Sequence, residues 1–119
     1  MTTLSNILNY NEDTRTLILV SEDMVFSAVI DNLTHIYITK DHQIIITGNN
    51  KEFRINKPTS ECLTAIFSLG FFQVHPQFLV NPTKINLSLS NEVEITLENG
   101  RKIPTQERYF KNLLKMINV

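Results

Sequence analysis

Tryptophan is absent from this 119-residue chain, cysteine occurs once, glycine three times and proline four times. A lone Cys62 forms no internal disulfide, so stability has to come from a packed core. It falls in a helical apolar pattern, which points to packing and not to reactivity. Three glycines leave little material for a phosphate-cradling loop, and no Walker-type or dinucleotide-binding pattern occurs. No apolar run approaches the ~20 residues of a bilayer-spanning helix. The opening MTTLSNILNYNEDTRTL has neither a basic start nor an apolar h-region, so a cytoplasmic protein is expected. Without export, the glycosylation patterns Asn32-Leu33-Thr34 and Asn86-Leu87-Ser88 carry no meaning. A 42% hydrophobic composition with a net charge of only -1 suits one globular domain with a modest core.

Catalytic and metal chemistry are also missing. The histidines His35, His42 and His75 are far apart in sequence and match no ligand spacing, so neither a metal nor another cofactor is expected. No HExxH, CxxC or paired-carboxylate motif is present. Asp41-His42 has the composition of a dyad, but neighbours on a strand point to opposite faces and neighbours in a turn are solvated. No catalytic residue is assigned, and an enzyme with a small-molecule substrate is not expected.

Mostly short strands remain. RTLILVS and MVFSAVID are apolar runs separated by Ser21-Glu22-Asp23, with Met24, Phe26, Ala28 and Ile30 on one face at period two. THIYIT and QIIIT flank Lys40-Asp41-His42, a hairpin, and the chain turns again at Gly48-Asn49-Asn50 before KEFRIN. Ile85, Leu87 and Leu89 alternate with Asn86, Ser88 and Ser90, and Val93, Ile95 and Leu97 alternate with Glu94 and Thr96. Asn99-Gly100 then closes a hairpin before RKIP. Each strand is expected to keep one wet face. Two segments read as helices. TSECLTAIFSLG has Thr59 or Ser60 as cap, Gly70 as stop and Cys62, Leu63, Ile66 and Phe67 as apolar stripe. TQERYFKNLLKMI starts from Thr105 as N-cap and buries Tyr109, Phe110, Leu113, Leu114 and Ile117, leaving Arg108, Lys111 and Lys115 as a basic stripe. Residues 1–13 are polar and read as a tail or first turn, followed by a single domain over 14–119.

The near-zero net charge hides an asymmetry. Residues 1–50 hold two bases against six acids, whereas 101–119 hold five bases against Glu107 alone. A basic end on a near-neutral chain is a candidate polyanion footprint, and also what a solvated face looks like.

The element order, with GFFQVHPQFLVN before a strand pair and ENGRKIP before a basic helix, resembles the LytTR family of bacterial DNA-binding domains. The carrying residues are Phe72, Val74, His75, Phe78, Leu79, Val80 and Asn81, then Gly100, Ile103 and Pro104. The resemblance covers roughly residues 14 to 119. It implies a mainly β fold, an elongated arrangement of small antiparallel sheets with two short helices. It also implies a transcription regulator of response-regulator type that binds double-stranded DNA by inserting loops, not a recognition helix, into successive major grooves. Such domains usually follow a receiver domain. This length leaves no room for one, so a stand-alone regulator is expected, with its regulation coming from elsewhere or absent.

Carried over residue by residue, the resemblance places His42 at a base-reading loop position, where an imidazole can donate to guanine N7 or O6. The plainer reading of His42 is an exposed turn histidine. The family's His-Arg-Ser becomes His75-Pro76-Gln77, in which proline has neither amide hydrogen nor charge and Gln77 keeps a weaker backbone contact. The family's Ser-Arg before the last helix becomes Gln106-Glu107, a carboxylate that repels phosphate, and Arg108 then stands in as base contact. Lys40, His75, Gln77, Lys84, Arg101, Lys102 and Lys111 are the candidate DNA-backbone contacts. His75 is also expected to make an orienting hydrogen bond at the domain edge. The alternative is a degenerate domain with weak or no DNA binding, acting by protein–protein contact as a homodimer or on a partner regulator.

Overall fold

The run Ile44-Ile45-Ile46 marks the centre of the molecule, because all three isoleucines are buried and the strand therefore has no wet face. The computed structural model describes residues 6–20, 25–48 and 51–117. Its largest sheet has five antiparallel strands in the order β6-β5-β4-β8-β7, built from β4 (Leu33–Ile38), β5 (Ile44–Gly48), β6 (Lys51–Ile55), β7 (Phe72–His75) and β8 (Phe78–Val80). Period-two alternation sends Ile44, Ile46, Phe53, Ile55 and Leu79 to one face, where they meet Leu17, Ile30 and the helix residues Cys62 and Ile66. Val74 and Val80 face the other way and pack with Ile95, Leu97, Ile103 and Leu113. The central sheet thus has a core on each side.

Smaller sheets cover the two faces. One holds β1 (Asn6–Asn11), β2 (Thr16–Val20) and β3 (Val25–Val29) in that order. The other is the pair β9 (Glu94–Thr96) and β10 (Lys102–Pro104). Two helices complete the chain, α1 (Ser60–Phe67) and α2 (Glu107–Ile117). The extents, 43 × 33 × 24 Å, match the elongated mainly β fold expected.

Several local expectations are corrected. Asn6–Asn11 is a strand paired with β2 from Asn6↔Val20 to Asn11↔Thr16, not a tail or first turn. Its sequence NILNYN lacks clean alternation, but a backbone ladder needs no side-chain pattern. The segment 85–90 is not a strand. It holds one 3-10 turn, Leu87–Leu89, after another at Pro82–Lys84, with one bridge, Ile85↔Leu97, between the two turns. The Ser90 side chain competes there with a ladder: its Oγ donates to Asn86 O and accepts from Thr96 N. Thr96, expected to be wet, is buried, and Val93, expected inside, is exposed.

In α1, Thr59 caps as expected, its hydroxyl accepting from Cys62 N at 3.0 Å, and Gly70 follows at φ 88°. Phe67, assigned to the apolar stripe, is half exposed. Thr105 does not cap α2: its hydroxyl donates to Val74 O at 2.6 Å, pinning the helix approach to β7, and the helix begins at Glu107. Ser21-Glu22-Asp23, Met24, the Phe26 side chain and Asn49-Asn50 lie outside the described residues.

Candidate nucleic-acid interface

One end of the five-stranded sheet gathers the turns that can present side chains. The β4–β5 hairpin closes with a three-residue loop, Lys40-Asp41-His42. His42 N donates to Thr39 O at 3.0 Å, and Thr39 N donates to Gln43 O at 2.9 Å. The bonding is that of a tight turn followed by a left-handed residue, and the left-handed residue is His42, at φ 65°. Both Lys40 and His42 are exposed, and the His42 imidazole has no hydrogen-bond partner among the described residues.

The β7–β8 turn, His75-Pro76-Gln77, lies beside this loop because β8 pairs with β4. Ile38 N donates to Gln77 O at 2.8 Å, and Gln77 Nε2 donates to Ile38 O at 3.2 Å. Gln77 therefore spends its amide on the sheet edge, which sequence reasoning did not anticipate. The orienting hydrogen bond expected of His75 is present. Its Nδ1 accepts from Gln77 N at 3.1 Å, and the ring meets Phe78 edge-on at 5.7 Å. An accepting Nδ1 puts the proton of the neutral ring on Nε2. Phe78 in turn stacks on Tyr37 at 4.7 Å, so this edge has an aromatic underlay.

The approach to α2 joins the same end through the Thr105–Val74 bond. Arg108 is exposed, with its guanidinium 4.9 Å from the Tyr109 ring centre and Nη2 3.4 Å from the phenol oxygen. Stacking of this kind limits where the arginine can swing. Lys111 is bound to Glu107 at 2.7 Å, one helical turn away, and Lys102 to Glu94 at 3.6 Å. The Glu107 carboxyl is held below the usual carboxylate range by its hydrogen bond to Lys111 and then by that lysine's charge.

Lys84 and Arg101 sit elsewhere. Glu98 N donates to Lys84 O, Asn81 N donates to Thr34 O, and Leu33 pairs with Gly48, so these residues belong to the opposite end of the sheet. Thr34 and Ile38 are four residue rises apart along β4, roughly 13 Å. Of the nine candidates, the structure brings Lys40, His42, His75, Gln77 and Arg108 to one end and leaves Lys84 and Arg101 at the other.

A further residue belongs with the first group. Arg54, exposed on β6, donates from Nη1 to Gln43 Oε1 at 2.6 Å and so braces the base of the His42 loop. The alternation KEFRI, with Phe53 and Ile55 inward and Glu52 and Arg54 outward, was signal enough to place it.

His35 is nearly fully buried and stands apart from all of this. Burial, and then the charge of Arg101, push its pKa down to about 4, and a neutral ring so placed reads as structural. Among the described residues no group of three or more metal-ligating side chains occurs, and no helix is long and apolar enough to cross a membrane.

Comparison with known proteins bears on the family and the fold. A family model described as the LytTr DNA-binding domain matches residues 23–118. A solved LytTr DNA-binding domain from Bacillus cereus superposes with a TM-score of 0.65 at 15% identity, over 87% of this chain and 97% of that one. At that identity the likeness shows the fold. No curated protein matches the chain.

Proposed function

Because the chain belongs to the LytTr DNA-binding domain family, we propose that it is a sequence-specific regulator that reads double-stranded DNA with the Lys40–His42 loop and Arg108. LytTR domains are DNA-binding and not enzymatic, and that much is a property of the family. The observation that carries the finer reading is His42, held at φ 65° on an exposed loop with an imidazole that has no hydrogen-bond partner among the described residues. A non-glycine residue in the left-handed region costs free energy, and such positions cluster where a side chain is being presented. Arg54 and Lys40 beside it, and His75 Nε2 on the neighbouring turn, supply donors for phosphates, while the bases are read in the major groove.

A second reading has its own support. Gln77, Lys102 and Lys111 already have partners within the chain, and Pro76 has no amide hydrogen to offer a phosphate. Such a surface suits a domain that has lost DNA readout and acts on a second copy or a partner regulator. Selection of the protein against a random duplex library at low salt separates the two. Sequence-specific readout gives an enriched motif of two half-sites about one helical turn apart. Affinity for it then falls by roughly 10²–10³ between low and physiological salt, as neutralising four to six phosphates requires. Sequence-indifferent binding sinks the DNA reading.

A further inference from the structure

Where the five-stranded sheet meets the β9–β10 turn, at the end away from His42, the chain encloses an open cleft of about 740 Å³, within the range of small-molecule sites. Its floor is polar. Thr34 and Thr47 line it, and the Thr34 hydroxyl spans to Thr47 O at 3.1 Å and to His35 Nδ1 at 2.9 Å. Both contacts are satisfied when the hydroxyl donates to the carbonyl and His35 donates from Nδ1, so the floor is already hydrogen-bonded and rigid. Four ionised side chains stand around it: Glu52 from β6, Lys84, and Glu98 and Arg101 from the β9–β10 turn. None of the four is in an ion pair among the described residues. This contrasts with Lys102 and Lys111 on the same protein, which both have carboxylate partners. His35, one hydrogen bond behind the floor, stays neutral because it is buried near Arg101, so the lining carries two positive and two negative charges.

We infer that this cleft binds a small zwitterion of the amino-acid or dipeptide class, its carboxylate on Arg101 and Lys84 and its ammonium on Glu52. A simple anion would meet two carboxylates as well as the two cations, and a simple cation the reverse. A molecule bearing both charges satisfies both sets, and guanidinium recognition of a carboxylate is the stronger half of the fit. Leu97 is the single apolar side chain in the lining among the described residues, so the ligand's own side chain is short or polar. This site is separate from the proposed DNA edge and stands whether or not that edge reads DNA.

The test is amide chemical-shift mapping of the intact protein with a panel of free L-amino acids and glycyl dipeptides, followed by calorimetry on the best of them. The expected result is saturable shifts at Thr47, Glu98 and Arg101 from at least one zwitterion. Capping that ligand as an N-acetyl or C-terminal amide form, or substituting Glu52→Gln or Arg101→Gln, should weaken binding at least tenfold. Both substitutions are at exposed positions, so the spectrum of each variant also reports that the fold is intact. Inorganic phosphate shifting the same amides as strongly as the zwitterion would make the site a plain anion site and overturn the assignment. So would the absence of saturable shifts across the panel, or affinity unchanged in both variants.

Discussion

Two hairpin loops in this protein share one backbone design and differ in the residue at its critical point. In the β4–β5 loop, His42 N donates to Thr39 O while Thr39 N donates to Gln43 O. In the β9–β10 loop, Gly100 N donates to Leu97 O while Leu97 N donates to Arg101 O. Each ends in a left-handed residue, Gly100 at φ 89° and His42 at φ 65°. Glycine takes that conformation freely, whereas an L-residue costs about 1–2 kcal/mol there. The first loop carries a conformational cost that the second avoids, and the costly one is the loop placed at the proposed reading edge. A tight turn alone would be served better by glycine at position 42, so a histidine there fits the proposed role of its imidazole.

The largest effect expected concerns what the Gly100 turn holds in place. Arg101, the next residue, adds to burial in lowering the His35 pKa from 6.5 to about 4. For a base lowered on folding, the unfolded chain binds the proton more readily. The stabilisation is then complete above the unfolded value and is lost as pH falls from 6.5 towards 4. Urea unfolding at pH 7.5, 6 and 5 should show stability falling with acid through that window, on the order of 2–3 kcal/mol in total. In His35→Gln this part of the slope should vanish, whatever the variant's midpoint. A slope unchanged by the substitution would mean that other groups carry the acid sensitivity.

Next in size is the reading loop. His42→Gly should weaken binding to a selected site by about 1–3 kcal/mol, the worth of a base contact, while raising domain stability by about 1 kcal/mol. Opposite signs in the two measurements distinguish a presented side chain from a structural one. If stability rises and affinity holds, the strain at position 42 has another cause. Gly100→Ala is the mirror experiment. A Cβ there meets no atom within 4 Å, so the cost is conformational alone, about 1–2 kcal/mol of stability. Its thermal unfolding midpoint should fall with no change in the DNA motif selected.

The comparison also shows how far the sequence was legible. Asn99-Gly100 announces its turn through glycine, and Lys40-Asp41-His42 was found from the strands flanking it, but nothing in those three letters says that His42 is left-handed. Strands β4, β5 and β6 and both helices followed from alternation, and the His75 hydrogen bond from the resemblance, whereas β7 and β8 carried no strand reading. The strand at Asn6–Asn11 did not follow either, because an edge strand can be held by backbone bonds alone. The segment 85–90 misled for the opposite reason: its side chains alternate, yet Ser90 Oγ takes hydrogen bonds that a ladder would need, donating to Asn86 O and accepting from Thr96 N. Gln77 and Lys111, read as phosphate contacts, each have a partner in the fold that the sequence reading did not give them, Ile38 O across the sheet and Glu107 one helical turn back. Pairings across the sheet or along a helix surface depend on rotamers that residue type does not fix.

The smallest effect tests whether the reading loop is braced. Arg54 reaches Gln43 Oε1 at 2.6 Å, and Gln43 closes the His42 loop through its bonds to Thr39. The pair is solvent-exposed, so its direct contribution to stability is small. Its effect on readout comes through the loop it holds and through the charge it places beside it. Arg54→Met keeps the stem and removes both the hydrogen bond and the charge. Affinity for the selected site should drop by about 0.5–1 kcal/mol, with the salt slope shallower by about one, as the loss of one phosphate contact requires. Arg54→Lys separates the two roles, since a lysine restores the charge without the planar fork that meets Gln43. Recovery of the salt slope with continued loss of base discrimination would assign Arg54 to positioning His42. Full recovery of both would reduce it to a phosphate contact and leave the His42 loop to hold its shape unaided.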